Sequence, residues 1–524
     1  MRTAFEIRNN RRQKMGERYL LGIDVGTSSL KVAVVCENGE VLNISSCSYV
    51  PVTPSLERVE MNSEDVWNAF LKCLRTLVDD ENVSLEQVEG IGISCLCPGL
   101  IAMDKEGKTL AGPILYSDRR SVQEAQWMRD ILGEKAIFEI TANRVMAGAV
   151  SSTSMLWIKK NQPELYEKTW KFGHINTWMV YRLTGRFGID YSNASYTGLF
   201  ETVKGEGGDW SPFLCEKTGL DMDKLPTLYS SSSVVGALEA PEVIAAGVKR
   251  GIPVVMGGGD TACAALAAGV TKEGEVCESV GTTDVLTICV EEPRFDTRFL
   301  NRCHVVDGTW IYQGAMSHTG ASYQWFQKQF CRELGIRENE KDALLLMNQE
   351  AKTAAPGCGG VVFLPYMMGE RSPVWDPYAR GVFFGMTLLT QRRDLNRAVL
   401  EGCGYGLRQL CEAAKEVTGR DFSSFVSIGG GAKSQVWAQI KADITGKDIR
   451  ILDFNDMAPV GAALLAGVGA GFYLNCKEAA KKMKRKVYEE IHSDRSYAAV
   501  YQKGYEIYKG LYPRVRDLYE IYRA

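Results

Sequence analysis

The sequence predicts an α/β protein made of two similar halves that face one cleft. Amphipathic helical stretches, such as 63–78 and 394–415, alternate with short apolar runs that are typical of strands. Two patterns of strands and glycine-rich turns each occur twice, and so long a repeat period indicates duplicated domains rather than a solenoid. A chain of 524 residues also exceeds what one hydrophobic core normally supports.

The first repeated pattern is a strand, a tight turn and a second strand. One copy turns at Gly26-Thr27-Ser28-Ser29 after the apolar run 19–24, and the other turns at Gly281-Thr282-Thr283 after the run 275–280. Glycine lets backbone N–H groups approach a polyphosphate, and the hydroxyls add donors, so both turns are candidate phosphate loops. Asp24 beside the first loop suits a Mg2+ shell. A plain β-turn is the alternative interpretation.

The second repeated pattern is a strand, three glycines and a helix. It occurs at Gly257-Gly258-Gly259-Asp260 and again at Gly429-Gly430-Gly431-Ala432. The start of such a helix favours negative charge and points free N–H groups at a ligand. Kinase chemistry needs a carboxylate within reach of the attacking hydroxyl, which makes Asp260 a candidate general base. A helix N-cap is the other interpretation of Asp260.

One other nucleotide-binding motif fits part of this sequence, and a second does not. Gly257, Gly259 and Ala262 fit the spacing of the dinucleotide fingerprint, which would indicate a nicotinamide-dependent oxidoreductase. That reading is weakened because the stretch lies in mid-chain and Asp260 would stand where the phosphate binds. A Walker A loop is absent, because Ala102 occupies the place of its leading glycine.

An acidic and basic cluster, Asp118-Arg119-Arg120, follows the apolar run 114–116 at a predicted strand end. Strand ends of α/β proteins line ligand crevices, so Asp118 is a candidate to accept a hydrogen bond from a sugar hydroxyl. A surface ion-pair cluster explains the same residues equally well, and both interpretations remain open.

Composition narrows the class of protein. The net charge of −3 gives no reason to expect nucleic acid or an anionic membrane as a partner. The 15 cysteines are scattered and the four histidines are not spaced as ligand pairs, which favours reduced thiols in a cytoplasm and argues against a transition-metal site. The uncharged stretch 460–474 is shorter than the ~20 residues that span a bilayer and is expected to be a buried helix.

The expected domain organisation has three parts. Residues 1–18 form a basic polar extension without the apolar core of a secretory signal, and translation starts at Met1 or Met15. An N-terminal domain is expected at 19–256 and a C-terminal domain at 257–524, because an apolar strand follows a helix end near residue 250.

Over residues 19–474 these patterns resemble, in order, the FGGY carbohydrate kinases, and most closely the xylulokinases among them. The family implies two actin-like, ribonuclease-H-like domains flanking a catalytic cleft, with the first phosphate loop and the sugar on the N-terminal side and the nucleotide on the C-terminal side. The motifs that carry the resemblance are residues 22–28, 116–120, 257–260, 281–283, 363–366, 369–373, 381–385 and 429–434.

The resemblance also implies roles for particular residues. Asp260 is the catalytic base and contacts the substrate, Asp118 binds the substrate, and Asp24 and Asp260 hold Mg2+. The residues implied to bind ATP are Gly26, Thr27, Ser28, Ser29, Lys31, Gly281, Thr282, Gly320, Gln324, Gly431, Ala432 and Gln435.

One departure from the family pattern concerns the substrate. Cys97-Pro98 stands where xylulokinases carry Met-His and glycerol kinases carry Arg-Glu, and those side chains contact the acceptor, so Cys97 and Pro98 are substrate-binding candidates. The implied activity is ATP- and Mg2+-dependent phosphorylation of a small sugar or polyol, with a ketopentose such as D-xylulose expected first. Another ketose, a tetritol, a glycerol-like polyol or a signalling furanone is the alternative, and an actin-fold ATPase is a remote one. A homodimer is left open.

Overall fold

The chain divides into two compact units. The computed structural model describes residues 18–80, 83–333, 340–453 and 456–523. The first unit runs through Thr271 and adds Arg302–Trp310 and Asp456–Lys484, and the second unit comprises the remaining stretches. Of the expected extension at 1–18, all but Arg18 lies outside the described residues.

The single boundary expected at residues 256–257 differs from this division. The first unit continues past it and recovers a segment from late in the chain, because helix Met457–Gly469 packs on strands Tyr19–Val25 and Val88–Cys95. Ten of its residues are buried, as expected for an uncharged stretch at 460–474, but the helix ends at Gly469 and Leu474 is exposed. Among the described residues, no helix combines the length and apolarity needed to cross a membrane.

A seven-stranded sheet forms the centre of the first unit. Tyr19–Val25 pairs antiparallel with Ser29–Cys36 on one side and parallel with Val88–Cys95 on the other. All seven residues of Tyr19–Val25 are buried, as expected for a strand covered on both faces. The strands in spatial order are Val234–Ala237, Pro253–Val255, Val88–Cys95, Tyr19–Val25, Ser29–Cys36 and Val41–Ser48, with Gly258–Gly259 beside Val88–Cys95.

Two smaller sheets and a set of helices complete the first unit. The five-stranded sheet has the order Val52–Ser55, Arg58–Glu60, Ile114–Leu115, Gly99–Met103 and Lys171–His174, and Ile189–Asp190 pairs with Leu228–Tyr229. Two hydrophobic clusters lie within this unit, one around the large sheet and one around Phe172 and Phe200. The described α-helices are Ser63–Val78, Val122–Leu132, Glu134–Thr141, Ser151–Asn161, Pro163–Lys168, Ile175–Thr184, Tyr191–Ala194, Pro212–Thr218, Pro241–Ala245, Asp260–Ala268, Met457–Gly469 and Cys476–Lys482.

The second unit is built on another seven-stranded sheet. Its strands in spatial order are Leu300–Cys303, Trp310–Met316, Asp284–Val290, Val276–Val280, Ser424–Ile428, Asp448–Leu452 and Val487–Ile491, and Val362–Leu364 pairs separately with Val382–Phe384. The division into units runs through the first two of these strands, so that Arg302, Cys303 and Trp310 belong to the first unit. The described α-helices are Thr319–Phe330, Glu340–Thr353, Arg392–Thr418, Gln435–Thr445 and Ala498–Val515.

The repeated sequence patterns correspond to repeated structure. Val276–Val280 is antiparallel to Asp284–Val290 and parallel to Ser424–Ile428, which reproduces the pairing of Tyr19–Val25 in the first unit. The prediction of a duplicated α/β architecture is therefore confirmed, and the order of strands is that of the actin-like fold. The helix expected at 63–78 has those bounds, and the one expected at 394–415 extends over Arg392–Thr418.

Candidate active site

Asp24 and Asp260 lie at the same edge of the large sheet in the first unit. The register pairs Asp24 with Ser94 on the neighbouring parallel strand and pairs Ser94 with Gly258, two residues before Asp260. The carboxyl ends of adjoining parallel strands meet at one sheet edge, where ligands of α/β proteins bind. Ser94 Oγ donates a hydrogen bond to Asp24 Oδ1 at 2.7 Å, which orients that carboxyl group.

The charge of Asp260 affects the ionisation of Asp24. Burial, followed by the charge of Asp260, raises the pKa of Asp24 from 3.8 to about 6, and Ser94 and Lys31 oppose that rise. Mg2+ is usually bound by one or two carboxylates, with waters and phosphate oxygens completing its shell. Asp24 and Asp260 fit such a site, because a cation beside them would favour the ionised form that burial disfavours. No described group of three or more His, Cys, Asp or Glu residues could hold a metal without a ligand's help.

Asp260 is the first residue of helix Asp260–Ala268, and the N-cap position belongs to Gly259. The carboxylate is half-buried and accepts hydrogen bonds from Thr261, at 2.6 Å from the backbone N–H and 3.1 Å from the hydroxyl. The N-cap interpretation of Asp260 is therefore wrong. Its carboxylate still gains from the positive end of the helix dipole, which stabilises negative charge in the first turn.

A buried polar chain holds the backbone just ahead of Asp260. The N–H of Gly259 donates to Ser192 Oγ at 2.9 Å, and the Ser192 hydroxyl donates to the Asp190 carboxylate. Asp190 is fully buried and also accepts from the side-chain amides of Asn176 and Asn193, at 2.8 and 2.6 Å. Burial raises the pKa of Asp190, while the hydrogen bonds lower it. The side chains of this polar chain bond to one another, and none of these hydrogen bonds reaches the carboxylate of Asp260.

Cys97 lies next to the same backbone. Its thiol donates to Asn193 Oδ1 at 2.7 Å, and a Cβ built on Gly259 would lie 3.0 Å from its Sγ. Burial, with smaller contributions from Cys95 and Asp260, raises the pKa of the Cys97 thiol well above its ordinary value. The thiol is therefore neutral and acts as a small hydrogen-bond donor. Pro98 is buried and joined to Cys97 by a cis peptide bond.

Asp118 forms a buried ion pair. Its carboxylate accepts from Val59 N at 2.7 Å and from Arg120 through the backbone N–H, Nε and Nη2 at 3.0, 2.9 and 2.7 Å. Arg120 also donates to Glu60 at 2.6 Å, and its guanidinium lies over the ring of Trp157. The predicted ion pair is present, but it is not on the surface, since Asp118 is 1% exposed. A direct contact of Asp118 with a substrate stays a prediction.

The first candidate phosphate loop is a tight, partly exposed turn. Gly26 N donates to the Ser29 carbonyl at 3.0 Å, and Ser28 is exposed. The Thr27 hydroxyl lies 3.4 Å from that of Tyr116. Lys31, which the family resemblance assigns to the phosphates, forms an ion pair with Asp456 here.

In the second unit, the structure brings most of the predicted nucleotide residues around one turn. Gly281 N donates to the Thr283 carbonyl at 3.0 Å, and Ala321 N donates to the Thr282 carbonyl at 3.1 Å. A Cβ on Gly320 would lie 2.1 Å from the Gly281 carbonyl oxygen, so helix Thr319–Phe330 begins in direct contact with the turn. Gln324 is exposed one helical turn further on.

The second triple-glycine segment packs against the strand that leads into this turn. A Cβ on Gly431 would lie 2.6 Å from Val280 Cγ1, and Ala432 is buried beside it in a short 3-10 helix. Gln435 is exposed at the start of helix Gln435–Thr445 and donates to Glu489 at 3.1 Å. Gly281, Gly320 and Gly431 are thus neighbours within one unit.

Several residues of the first-unit site were not found by the sequence patterns. They come from segments with no motif and reach the site only through the fold, and they are Ser94, His174, Asp190, Ser192, Asn193, Arg302 and Asp456. His174, whose pKa burial lowers to about 4, lies 3.1 Å from Asn193 Oδ1. A polar side chain inside an otherwise apolar stretch, as at Ser94 in 90–95, is the one signal that could have indicated such a position.

The duplicated sheets with their glycine-rich turns place the chain in the actin-like fold class, and the activity follows from the family that its sequence matches. Two family models match the chain. The model for the FGGY family of carbohydrate kinases, N-terminal domain, matches residues 19–267, and the model for the C-terminal domain of the same family matches residues 277–470. The chain belongs to this family, whose members transfer phosphate from ATP to an alcohol group.

Individual relatives agree with this placement. The chain is 31% identical over 508 residues to the xylulose kinase of Bacillus subtilis, covering 96% of this chain and 98% of that protein. It is 27% identical over 461 residues to the gluconokinase of the same organism, covering 86% and 88%. The crystal structure of a xyloylose kinase from Brucella ovis superposes with a TM-score of 0.85 at 26% identity, covering 96% of this chain and 100% of that one.

Proposed function

We propose that this protein uses ATP and Mg2+ to phosphorylate a hydroxyl group of a small sugar, with a ketopentose such as D-xylulose as the first candidate. The observation that carries the proposal is the half-buried carboxylate of Asp260 at a sheet edge beside Asp24, with a small thiol, Cys97, next to the same backbone. The full-length similarity to proteins named xylulose kinase supports the ketopentose.

In the proposed reaction, Asp260 is the general base. The acceptor oxygen forms a bond to the γ-phosphorus of ATP, the bond to the bridging oxygen breaks, and ADP leaves. A sugar hydroxyl has a pKa far above 7, so its proton passes to Asp260 late, as the new bond forms. Asp260 is suited to this role because its only described hydrogen-bond donors belong to Thr261, the next residue.

The remaining parts of the reaction are electrostatic. Mg2+, when bound, would neutralise charge on the phosphates, and Asp24 and Asp260 are the residues proposed to hold it. Backbone N–H groups of Thr27, Ser28 and Thr282 are proposed to donate to phosphate oxygens, since those of Gly26 and Gly281 already bond within their turns. All 15 cysteines are free thiols, which supports the proposed cytoplasmic location.

A polyhydroxy acid is the second candidate substrate. It is favoured by the 27% identity to a gluconokinase and by Cys97-Pro98, which departs from the xylulokinase pattern at the expected acceptor contact. Tetritols, glycerol-like polyols and furanones rank below the ketopentose and the polyhydroxy acid as candidate substrates.

A coupled ADP-release assay over ketoses, aldoses, aldonates and polyols tests the proposal. We expect acceptor-dependent ADP release, with the highest kcat/KM for a ketopentose. A thermal shift with ATP and Mg2+ against NAD separates the kinase from the oxidoreductase, because a ligand stabilises only the state that binds it. The absence of acceptor-dependent turnover over the whole panel, together with a shift by NAD alone, would refute the proposed function.

A further inference from the structure

Arg302 is a buried cation without a hydrogen-bond acceptor. Its side chain is 1% exposed, and Nε, Nη1 and Nη2 all lack a partner among the described residues. The guanidinium lies 4.8 Å from the centroid of the Tyr196 ring, a cation–π contact that leaves the N–H groups unsatisfied. Burying an unpaired charge is strongly unfavourable, so a protein that keeps such a group is expected to use it.

The guanidinium points at the backbone next to the proposed base. A Cβ built on Gly259 would lie 3.2 Å from Arg302 Nη1, 3.0 Å from Cys97 Sγ and 3.7 Å from Ser192 Oγ. Three polar groups from three separate segments of the first unit therefore meet at the residue that precedes Asp260. Arg302 is the one charged donor of the three.

The position of Arg302 is fixed by its neighbours. Cys303 N donates to Ser195 Oγ at 3.1 Å, and His304 Nε2 lies 2.8 Å from the carbonyl oxygen of Val270. Both anchors lie in the two residues that follow Arg302, and neither involves the guanidinium. The guanidinium N–H groups of Arg302 therefore have a fixed position and no acceptor in the described part of the chain, which preorganises them to bind a ligand.

We propose that Arg302 is a substrate-binding residue that selects acceptors carrying an sp2 oxygen, either the carbonyl of a ketose or the carboxylate of an aldonate, over fully reduced polyols. This inference rests on the proposed function. A guanidinium only donates, and its planar fork matches an oxygen that only accepts. A hydroxyl in the same place would need a further acceptor for its own proton. Asn193 Oδ1 already accepts from Cys97, Ser192 Oγ accepts from Gly259, and the Asp260 carboxylate is assigned to the hydroxyl that reacts.

The test compares Arg302→Met and Arg302→Lys with the wild type and with Arg250→Met, a control arginine that is exposed and paired with Glu239. D-Xylulose and D-gluconate serve as sp2-oxygen acceptors, and xylitol and glycerol as reduced ones. Arg302→Met should lower kcat/KM for the sp2-oxygen acceptors by roughly 10- to 100-fold, the scale for a lost hydrogen bond to a charged group, mainly through KM. Activity on the polyols should change less than about threefold, and Arg302→Lys should lie between.

Thermal unfolding without ligand supplies a readout independent of activity. Removing an unpaired buried charge should raise the Tm of the Arg302→Met protein by about 2–4 °C, whereas an arginine with a structural role would lower it. Arg250→Met should leave the Tm unchanged within about 1 °C, since exposed ion pairs contribute little.

The outcomes separate this inference from the proposed function. If Arg302→Met keeps wild-type kcat/KM for every sp2-oxygen acceptor that the wild type phosphorylates, the role of Arg302 is refuted and the kinase activity stands. If the wild type phosphorylates nothing in the panel, the proposed function fails. Thermal shifts with the same compounds then test whether Arg302 binds them. A shift by D-xylulose or D-gluconate that Arg302→Met abolishes supports the inference and distinguishes carbonyl from carboxylate, and no Arg302-dependent shift overturns it.

Discussion

The hydroxyl of Ser192 accepts the backbone N–H of Gly259 at 2.9 Å, one residue ahead of Asp260. The same hydroxyl donates to the buried carboxylate of Asp190. The start of helix Asp260–Ala268 is thus fixed by side chains from a segment about 70 residues earlier in the chain. Ser192 is a positioning residue, because it acts on Asp260 through the backbone.

Replacing Ser192 by alanine should lower kcat by roughly tenfold and destabilise the protein by about 1–3 kcal/mol, because the buried Gly259 N–H loses its acceptor. KM for ATP should stay within about twofold, since the nucleotide loops are untouched. Steady-state kinetics and urea denaturation measure both effects. The control is Ser84→Ala, at a half-buried serine whose side chain makes no capping hydrogen bond. A loss of stability with unchanged kcat would limit Ser192 to a purely structural role.

Asp24 should make stability depend on pH. Because its pKa rises from 3.8 to about 6 on folding, the folded protein holds the proton more tightly, and the free energy of unfolding falls as pH rises through about 4 to 6. Between pH 5 and pH 7.5 the contribution is about 1.4 kcal/mol, the value of one pKa unit. Asp24→Asn should remove that part of the decline in urea denaturation.

The matched control for this experiment is Asp130→Asn, on the exposed face of helix Val122–Leu132. It should reproduce the wild-type change between the two pH values. An Asp24→Asn protein with the same pH dependence as the wild type would show that Asp24 ionises normally in the folded state.

Gly320→Ala should weaken nucleotide binding. The added Cβ would lie 2.1 Å from the Gly281 carbonyl oxygen, so the Gly281–Thr282 turn must move. We expect the Kd for ATP with Mg2+, measured by calorimetry, to rise about tenfold or more, on the scale of 1–3 kcal/mol for a forced backbone shift. In Gly207→Ala, where an added Cβ meets nothing within 4 Å, the Kd should not change. Unaltered affinity in Gly320→Ala would remove this turn from the nucleotide site.

Lys441 should be essential to the stability of the second unit. It donates to Glu278 at 2.6 Å and to Asp284 at 2.7 Å, and all three side chains are at most 3% exposed. Lys441→Met leaves two buried carboxylates without their cation, which should cost about 3–5 kcal/mol in thermal or urea unfolding. Lys415→Met, which breaks an exposed pair with Asp421, should cost less than about 1 kcal/mol. Similar losses in the two variants would contradict this account.

The sequence predicted the parts of the fold that are locally encoded. The hairpins around Gly26 and Gly281 and the strand-to-helix junction at Asp260 each depend on a few adjacent residues, and all are present. The division into units was less accessible, because the return of Met457–Gly469 to the first unit depends on its packing against strands more than 360 residues earlier in the chain.

The site was predicted in outline and missed in its supporting residues. Asp24 and Asp260 belong to motifs, whereas Asp190 and Arg302 stand in ordinary stretches and matter only through what they touch. The N-cap position belongs to Gly259 and not to Asp260, because the helix starts at Asp260, one residue earlier than a capping aspartate would require.

The turnover of Asp260→Asn with its best acceptor, measured alongside calorimetric binding of ATP with Mg2+, tests the role of Asp260. Asp130→Asn again serves as the surface control. If Asp260 is the general base, kcat falls by roughly 100-fold or more, well beyond the change in affinity for ATP with Mg2+ that the loss of one proposed metal ligand would cause. Turnover equal to that of the wild type would contradict the account.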